Sequence, residues 1–140
     1  MISCWDTAGI TDMNKAFLTD FYLSSYSEFQ SFNAPLDCWN VGKVTSMDRM
    51  FMYVYTFNQP IDSWDVSQVE SMYFMFDNAR LFNQHIDSWD VSQVKNMDSM
   101  FIEALSFNKP IDTWDVSQVD NMERMFYNAN AFNQSIGSWN

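Results

Sequence analysis

A phenylalanine–asparagine pair returns every 25 residues, at Phe32-Asn33, Phe57-Asn58, Phe82-Asn83, Phe107-Asn108 and Phe132-Asn133. A fixed period of this length marks a stacked array, in which each unit buries its apolar side against its neighbours. Trp39, Trp64, Trp89, Trp114 and Trp139 keep the same register. So do Met47, Met72, Met97 and Met122, then Met50, Met75, Met100 and Met125, then Phe51, Phe76, Phe101 and Phe126. The unit reads F-N-x-x-I-D-x-W-D-V-S-x-V-x-x-M-x-x-M-F-x-x-A-x-x. Its Met, Phe and Trp columns are expected to form the core, with flexible thioethers filling gaps around the rings.

The array divides the chain into 1–31, a divergent first copy or cap, 32–131, four regular copies, and 132–140, the start of a further rung. Trp5, Ile10, Met13 and Phe17 match Trp39, Val44, Met47 and Phe51 at an offset of 34, so about nine extra residues fall within Leu18–Ser31. Atypical end repeats commonly cover the open end of such a core. No cap is visible after Trp139, so that edge is expected either to continue or to rest on another chain.

The spacing of the apolar residues predicts an α/β fold. Val69, Met72, Met75, Phe76 and Ala79, wound at about 100° per residue, fall within an arc of about 120°, one face of an amphipathic helix. Ser67 and Ser117, with Glu70 and Asp120 three residues on, read as helix N-caps. Trp64 and Val66 alternate with Ser63 and Asp65, as in a short strand with one buried face. Each rung is therefore expected to run turn, strand, helix, and the stack to form a solenoid with a parallel sheet on one side.

Charge removes several functions. Eighteen acidic groups against seven basic ones give a net charge of −11, which excludes nucleic acid as a partner. No apolar run reaches the roughly 20 residues of a membrane span, so no direct membrane insertion is expected. The first residues, MISCWDTAGITD, show neither the basic nor the apolar region of a signal peptide.

The repeat F-N-Q-P-I-D-S-W-D-V-S-Q-V-x-x-M-x-x-M-F resembles the 25-residue unit of the BspA-like family, over about Trp5 to Asn140. These are leucine-rich-repeat-related surface proteins of bacteria and some unicellular eukaryotes. The resemblance implies a right-handed, leucine-rich-repeat-like solenoid, an extracellular or cell-surface location, no catalytic activity, and a role in adhesion or protein binding.

The residues themselves point the same way. No nucleophile–base pair, zinc spacing or phosphate-binding glycine loop is present, so no enzyme is expected. Ser63, Asp65, Ser88, Asp90, Thr113 and Asp115 are expected to project from the sheet as an acidic, hydroxyl-lined binding strip for a protein or glycan. Two readings of the aspartates stand side by side. They accept backbone N–H bonds in their turns, or Asp65, Asp90 and Asp115 form a calcium ladder with the neighbouring hydroxyls. The competing binding face is that of the predicted helices, with Tyr53, Tyr73, Phe74 and Tyr127. The asparagine column is expected to hydrogen-bond from rung to rung, and His85 to be a surface substitution for proline. Asn133-Gln134-Ser135 is a glycosylation sequon. Cys4 and Cys38 hold equivalent positions and are expected to be free thiols. A non-enzymatic interaction module is the leading reading. An assembly subunit docking through the C-terminal edge, or a calcium-dependent adhesion module, are the alternatives.

Overall fold

The computed structural model describes residues 5–18 and 27–139. Cys4, Asn140 and the 19–26 part of the expected insertion lie outside them. Successive units lie in parallel register, marked by single bridges Asp12 to Ser46, Ser46 to Ser71, Ser71 to Asn96 and Asn96 to Asn121. The α/β solenoid of strand–turn–helix rungs is overturned. Among the described residues the only helix is α1 (Ser27–Gln30), and the bridges between units are isolated rather than joined into strands. Each unit is built almost wholly from turns.

Two features forbid the expected helix. Arg49, Phe74, Ser99 and Arg124, with Tyr53, Asn78, Glu103 and Asn128, have φ between 52° and 62°, the left-handed region that no right-handed helix contains. The backbone hydrogen bonds also leave the segment. Met47, Arg49, Phe51 and Tyr53 donate to the carbonyls of Ser71, Tyr73, Met75 and Asp77 in the next unit at 2.8–3.0 Å. Between them Met50, Met52 and Val54 close turns on Met47, Arg49 and Phe51. The same alternation joins 72–78 to 96–102 and 97–103 to 121–127. Met13, Lys15 and Phe17 likewise donate to Ser46, Asp48 and Met50.

The expected strand fails for a related reason. Trp64 closes a turn on Ile61 and Val69 closes one on Val66, leaving no extended run between them. Ser67 and Glu70 cap nothing. The Ser67 N–H is held by Asp65, and the Glu70 N–H donates to Thr45 in the preceding unit.

The core follows the columns. Met47, Met50, Met72, Met75, Met97 and Met100 are fully buried, as are Phe51, Phe57, Phe76, Phe82, Phe101 and Phe107. The second phenylalanine of one unit and the first of the next sit 4.1 Å apart, as Phe76 and Phe82 do. Between units each ring stacks on its equivalent, Phe76 lying 5.5 Å from both Phe51 and Phe101. The tryptophans form a third column, and the indole N–H groups of Trp64, Trp89, Trp114 and Trp139 reach the preceding unit, Trp89 donating to the Ile61 carbonyl at 3.1 Å. A buried donor is thereby satisfied while its ring stays in the core.

The asparagine column forms the expected ladder. Asn58 donates its N–H to Asn33 Oδ1 at 2.8 Å, Asn83 to Asn58 at 2.9 Å, Asn108 to Asn83 at 3.0 Å and Asn133 to Asn108 at 2.9 Å. Asn58 Oδ1 also accepts from the Gln84 amide at 2.9 Å. Asn58→Ala should cost about 2 kcal/mol in urea unfolding, because two donors lose one acceptor. Asn58→Asp, which keeps an acceptor there, should lose much less. Equal losses would show that the oxygen does not hold the turns together.

Candidate functional site

The acidic strip lies on the surface, but its polar groups are engaged in building the turns. Asp65 Oδ1 accepts the N–H of Ser67 at 3.1 Å and its hydroxyl at 2.7 Å. Asp90 and Asp115 accept from the N–H groups of Ser92 and Ser117 at 3.1 and 3.0 Å. The Ser67 and Ser117 hydroxyls, then their N–H groups, hold the Asp65 and Asp115 carboxyls below the usual carboxylate range. The hydroxyls face the preceding unit. Ser88 donates to the Asp62 carbonyl and carboxylate at 2.9 and 2.7 Å, and Thr113 to the Asp87 carbonyl at 2.9 Å. Ser63 is exposed on the same strip.

This arrangement is the turn-capping alternative. A carboxylate accepting two donors from its own turn is a poorer cation ligand than one pointed at an open cage. Among the described residues no three His, Cys, Asp or Glu side chains come together as metal ligands. His85 is exposed, with Nδ1 3.0 Å from Asp87 Oδ1, and this contact lowers the Asp87 pKa. Cys38 is exposed, and the expectation about its pairing involves Cys4, outside the described residues.

The turns at 47–55 and 72–80 present a different chemistry. The Arg49 guanidinium lies 4.6 Å from the Tyr73 ring centre and 5.8 Å from that of Phe74. Arg80 lies 4.5 Å from the Tyr55 ring centre and also reaches Asn78 Oδ1 at 3.3 Å. Tyr55 meets Tyr53 edge to face at 6.5 Å. Arg80 is exposed and the other cation–aromatic partners are half-buried. The aromatics here were legible in the sequence, but Arg49, Tyr55 and Arg80 were not singled out. Column arithmetic finds them, because Arg49 lies 25 residues before Phe74, and Arg80 25 after Tyr55. Tyr127, a further aromatic of this face, is 58% exposed and stands at the edge of the last full unit.

Each end of the described stack carries an apolar depression. Met122, Met125, Phe126, Ile136 and Trp139 line a depression of about 350 Å³ at one end. Trp5, Ile10, Met13 and Trp39 line one of about 230 Å³ at the other.

A family model described as "Mycoplasma protein of unknown function, DUF285" matches residues 1–80 and again residues 56–140. The chain belongs to the DUF285 family. No curated protein and no solved structure matches it. In this DUF285 chain the repeated residues are consumed by the stack, as core, ladder or turn cap. The arginine–tyrosine face is different: its columns change from unit to unit, reading Arg49, Phe74, Ser99 and Arg124 in one and Tyr55, Arg80, Leu105 and Asn130 in another.

Proposed function

We propose that this DUF285 chain is a non-enzymatic interaction module, displayed at a cell surface or secreted, that binds a protein through the Arg49–Tyr55–Tyr73–Arg80 face. The observation that carries this reading is the pairing of both arginines with tyrosine rings on columns the fold leaves free to vary. Arginine and tyrosine are enriched in protein interfaces, and a guanidinium held over a ring still offers its N–H groups outward. Placement outside the cell rests on the resemblance of the repeat to the BspA-like surface proteins. The Ser63–Asp115 strip is the weaker candidate, since its hydroxyls and carboxylates already have partners within the stack.

The test compares the parent with Arg49→Ala/Arg80→Ala on arrays of surface-exposed proteins and of glycans. The double variant should keep the parent melting midpoint, because both side chains lie outside the core. It should lose protein binding by tenfold or more, about 1.4 kcal/mol. Signal confined to glycans, or protein binding undiminished in the variant, would sink the reading.

A further inference from the structure

Of the three arginines, Arg124 pairs with Glu123 at 3.3 Å. Arg49 and Arg80 lie on aromatic rings instead and pair with no carboxylate among the described residues. Each is fixed without being neutralised. A ring holds a guanidinium by its flat face and leaves the in-plane N–H groups pointing past the ring edge. Arg80 gives two of its N–H groups to Asn78 Oδ1, from Nε at 3.4 Å and Nη2 at 3.3 Å. The Asn78 amide is itself anchored, its Nδ2 donating to Asp77 Oδ1 at 2.9 Å. The other N–H groups of Arg80, and those of Arg49, meet no acceptor among the described residues. Two guanidiniums are thus held in place with donors to spare, which lowers the ordering cost of binding.

The ground beside Arg80 is apolar. Leu81 is 52% exposed, and Leu105, the equivalent of Arg80 one unit on, is 39% exposed. Tyr55, Arg80 and Leu105 form one row across three successive units, in the middle of the stack. Arg49 opens the 49–55 segment and Tyr55, under Arg80, closes it, so the two guanidiniums flank that segment.

We infer that the partner is a protein segment with two carboxylates, one for Arg49 and one for Arg80, and with aliphatic or aromatic side chains beside them for Leu81 and Leu105. This rests on the reading of the face as a protein-binding one. A carboxylate matches the guanidinium fork, which accounts for the spare donors. The rest of the chain limits how acidic the segment is. At a net charge of −11 it repels a long run of carboxylates. A phosphate, at about −1.5 to −2, is repelled more than a single carboxylate is. Isolated carboxylates among apolar residues suit this surface.

Selection of phage-displayed random dodecapeptides on the parent tests the inference. The recovered peptides should carry two or more Asp or Glu with Leu, Ile, Phe, Tyr or Trp beside them. In synthetic form, changing either carboxylate to its amide should weaken binding about tenfold. Phosphoserine in its place should not strengthen binding. On Arg80→Ala one of the two amide changes should cost less than about twofold, because its guanidinium is gone. Leu81→Ser/Leu105→Ser should keep the parent melting midpoint and bind about fivefold more weakly. The inference is overturned by recovery of no peptide, by tighter binding of the phosphoserine form, by amide changes that cost the same on Arg80→Ala, or by undiminished binding to the leucine variant. Neutral or basic peptides that are lost on Arg49→Ala/Arg80→Ala overturn it too, but leave the protein-binding reading standing. Peptides held equally by that variant sink both.

Discussion

Phe76→Ala should lower the unfolding free energy by about 3–5 kcal/mol. The ring is fully buried and has aromatic neighbours on three sides, Phe51, Phe82 and Phe101, within 5.5 Å. The cavity cannot easily collapse. The backbone on either side is tied to the adjoining units, with the Phe51 N–H on Met75 and the Phe76 N–H on Met100, both at 2.9 Å. In a stacked array each unit is stabilised mainly by its neighbours, so a mid-stack defect also uncouples the two halves. Urea unfolding followed by tryptophan fluorescence should therefore show a broader transition as well as an earlier one. Phe132→Ala removes a half-exposed ring at the end of the other phenylalanine column and should cost much less. Equal losses at the two positions would show that the rings do not act as a continuous column.

Asp77 makes stability depend on pH. It is the one buried carboxylate among the described residues, 2% exposed, in a column otherwise occupied by Met52, Ile102 and Tyr127. Burial pushes its pKa up to about 6, against a pull downward from the Asn78 amide and a further push from Glu103. A carboxylate whose pKa rises on folding from 3.8 to about 6 holds its proton more tightly in the folded state. Stability is then greatest below the unfolded value, falls as pH rises between the two, and stays lower above. The swing is at most about 3 kcal/mol. Asp77→Asn removes it while keeping an amide-compatible shape. The variant should be the more stable protein near pH 7, and the gap should close near pH 4. Exposed Asp65, Asp87 and Asp115, with lowered pKa values, act in the opposite sense at more acid pH and cancel in the comparison. A gap that does not change with pH would mean that folding leaves the Asp77 pKa where it is in the unfolded chain.

The core was legible because the columns are spaced by the repeat itself, and a repeat carries its register wherever the backbone goes. The backbone was not. Val69, Met72, Met75, Phe76 and Ala79 fit one helical face, but Val66, also buried, would swing that face about 60° wider at 100° per residue. Steps of three residues match turns closing every third residue, as the bonds from Val69 to Val66, Met75 to Met72 and Ala79 to Phe76 show. The left-handed residues carried no warning either. Arg49, Tyr53, Phe74 and Glu103 adopt positive φ where glycine would have announced it, because the bond each N–H makes to the next unit helps offset the strain. The site was read by chemistry alone. The aspartates read equally as turn caps and as part of a free strip, and the Asp65-x-Ser67 spacing is that of an aspartate capping its own turn. Arg80 beneath Tyr55 needed only the 25-residue offset.

The alternating bonds also give the stack an electrical direction. The peptide joining Ser46 to Met47 accepts through its carbonyl from Met13 and donates through its N–H to Ser71. The peptide joining Ser71 to Met72 passes the same sense on to Asn96, and parallel files run through Phe74, Phe76 and Asn78. Fewer bonds run the other way, from Thr45, Thr56, Glu70, Leu81, Lys95, Ser106, Asp120 and Asn121 back to the preceding unit, and they reduce this sense without cancelling it. Each aligned peptide carries about 3.5 D, so the files add as they do along a helix axis. Here the N–H groups point along the chain's advance, so the positive pole falls at Met122, Arg124 and Phe126 and the negative pole at Asp12, Asn14 and Ala16. An acidic protein thus carries a patch of opposite polarity fixed by its backbone, which no surface substitution removes and which every added unit renews at the new end.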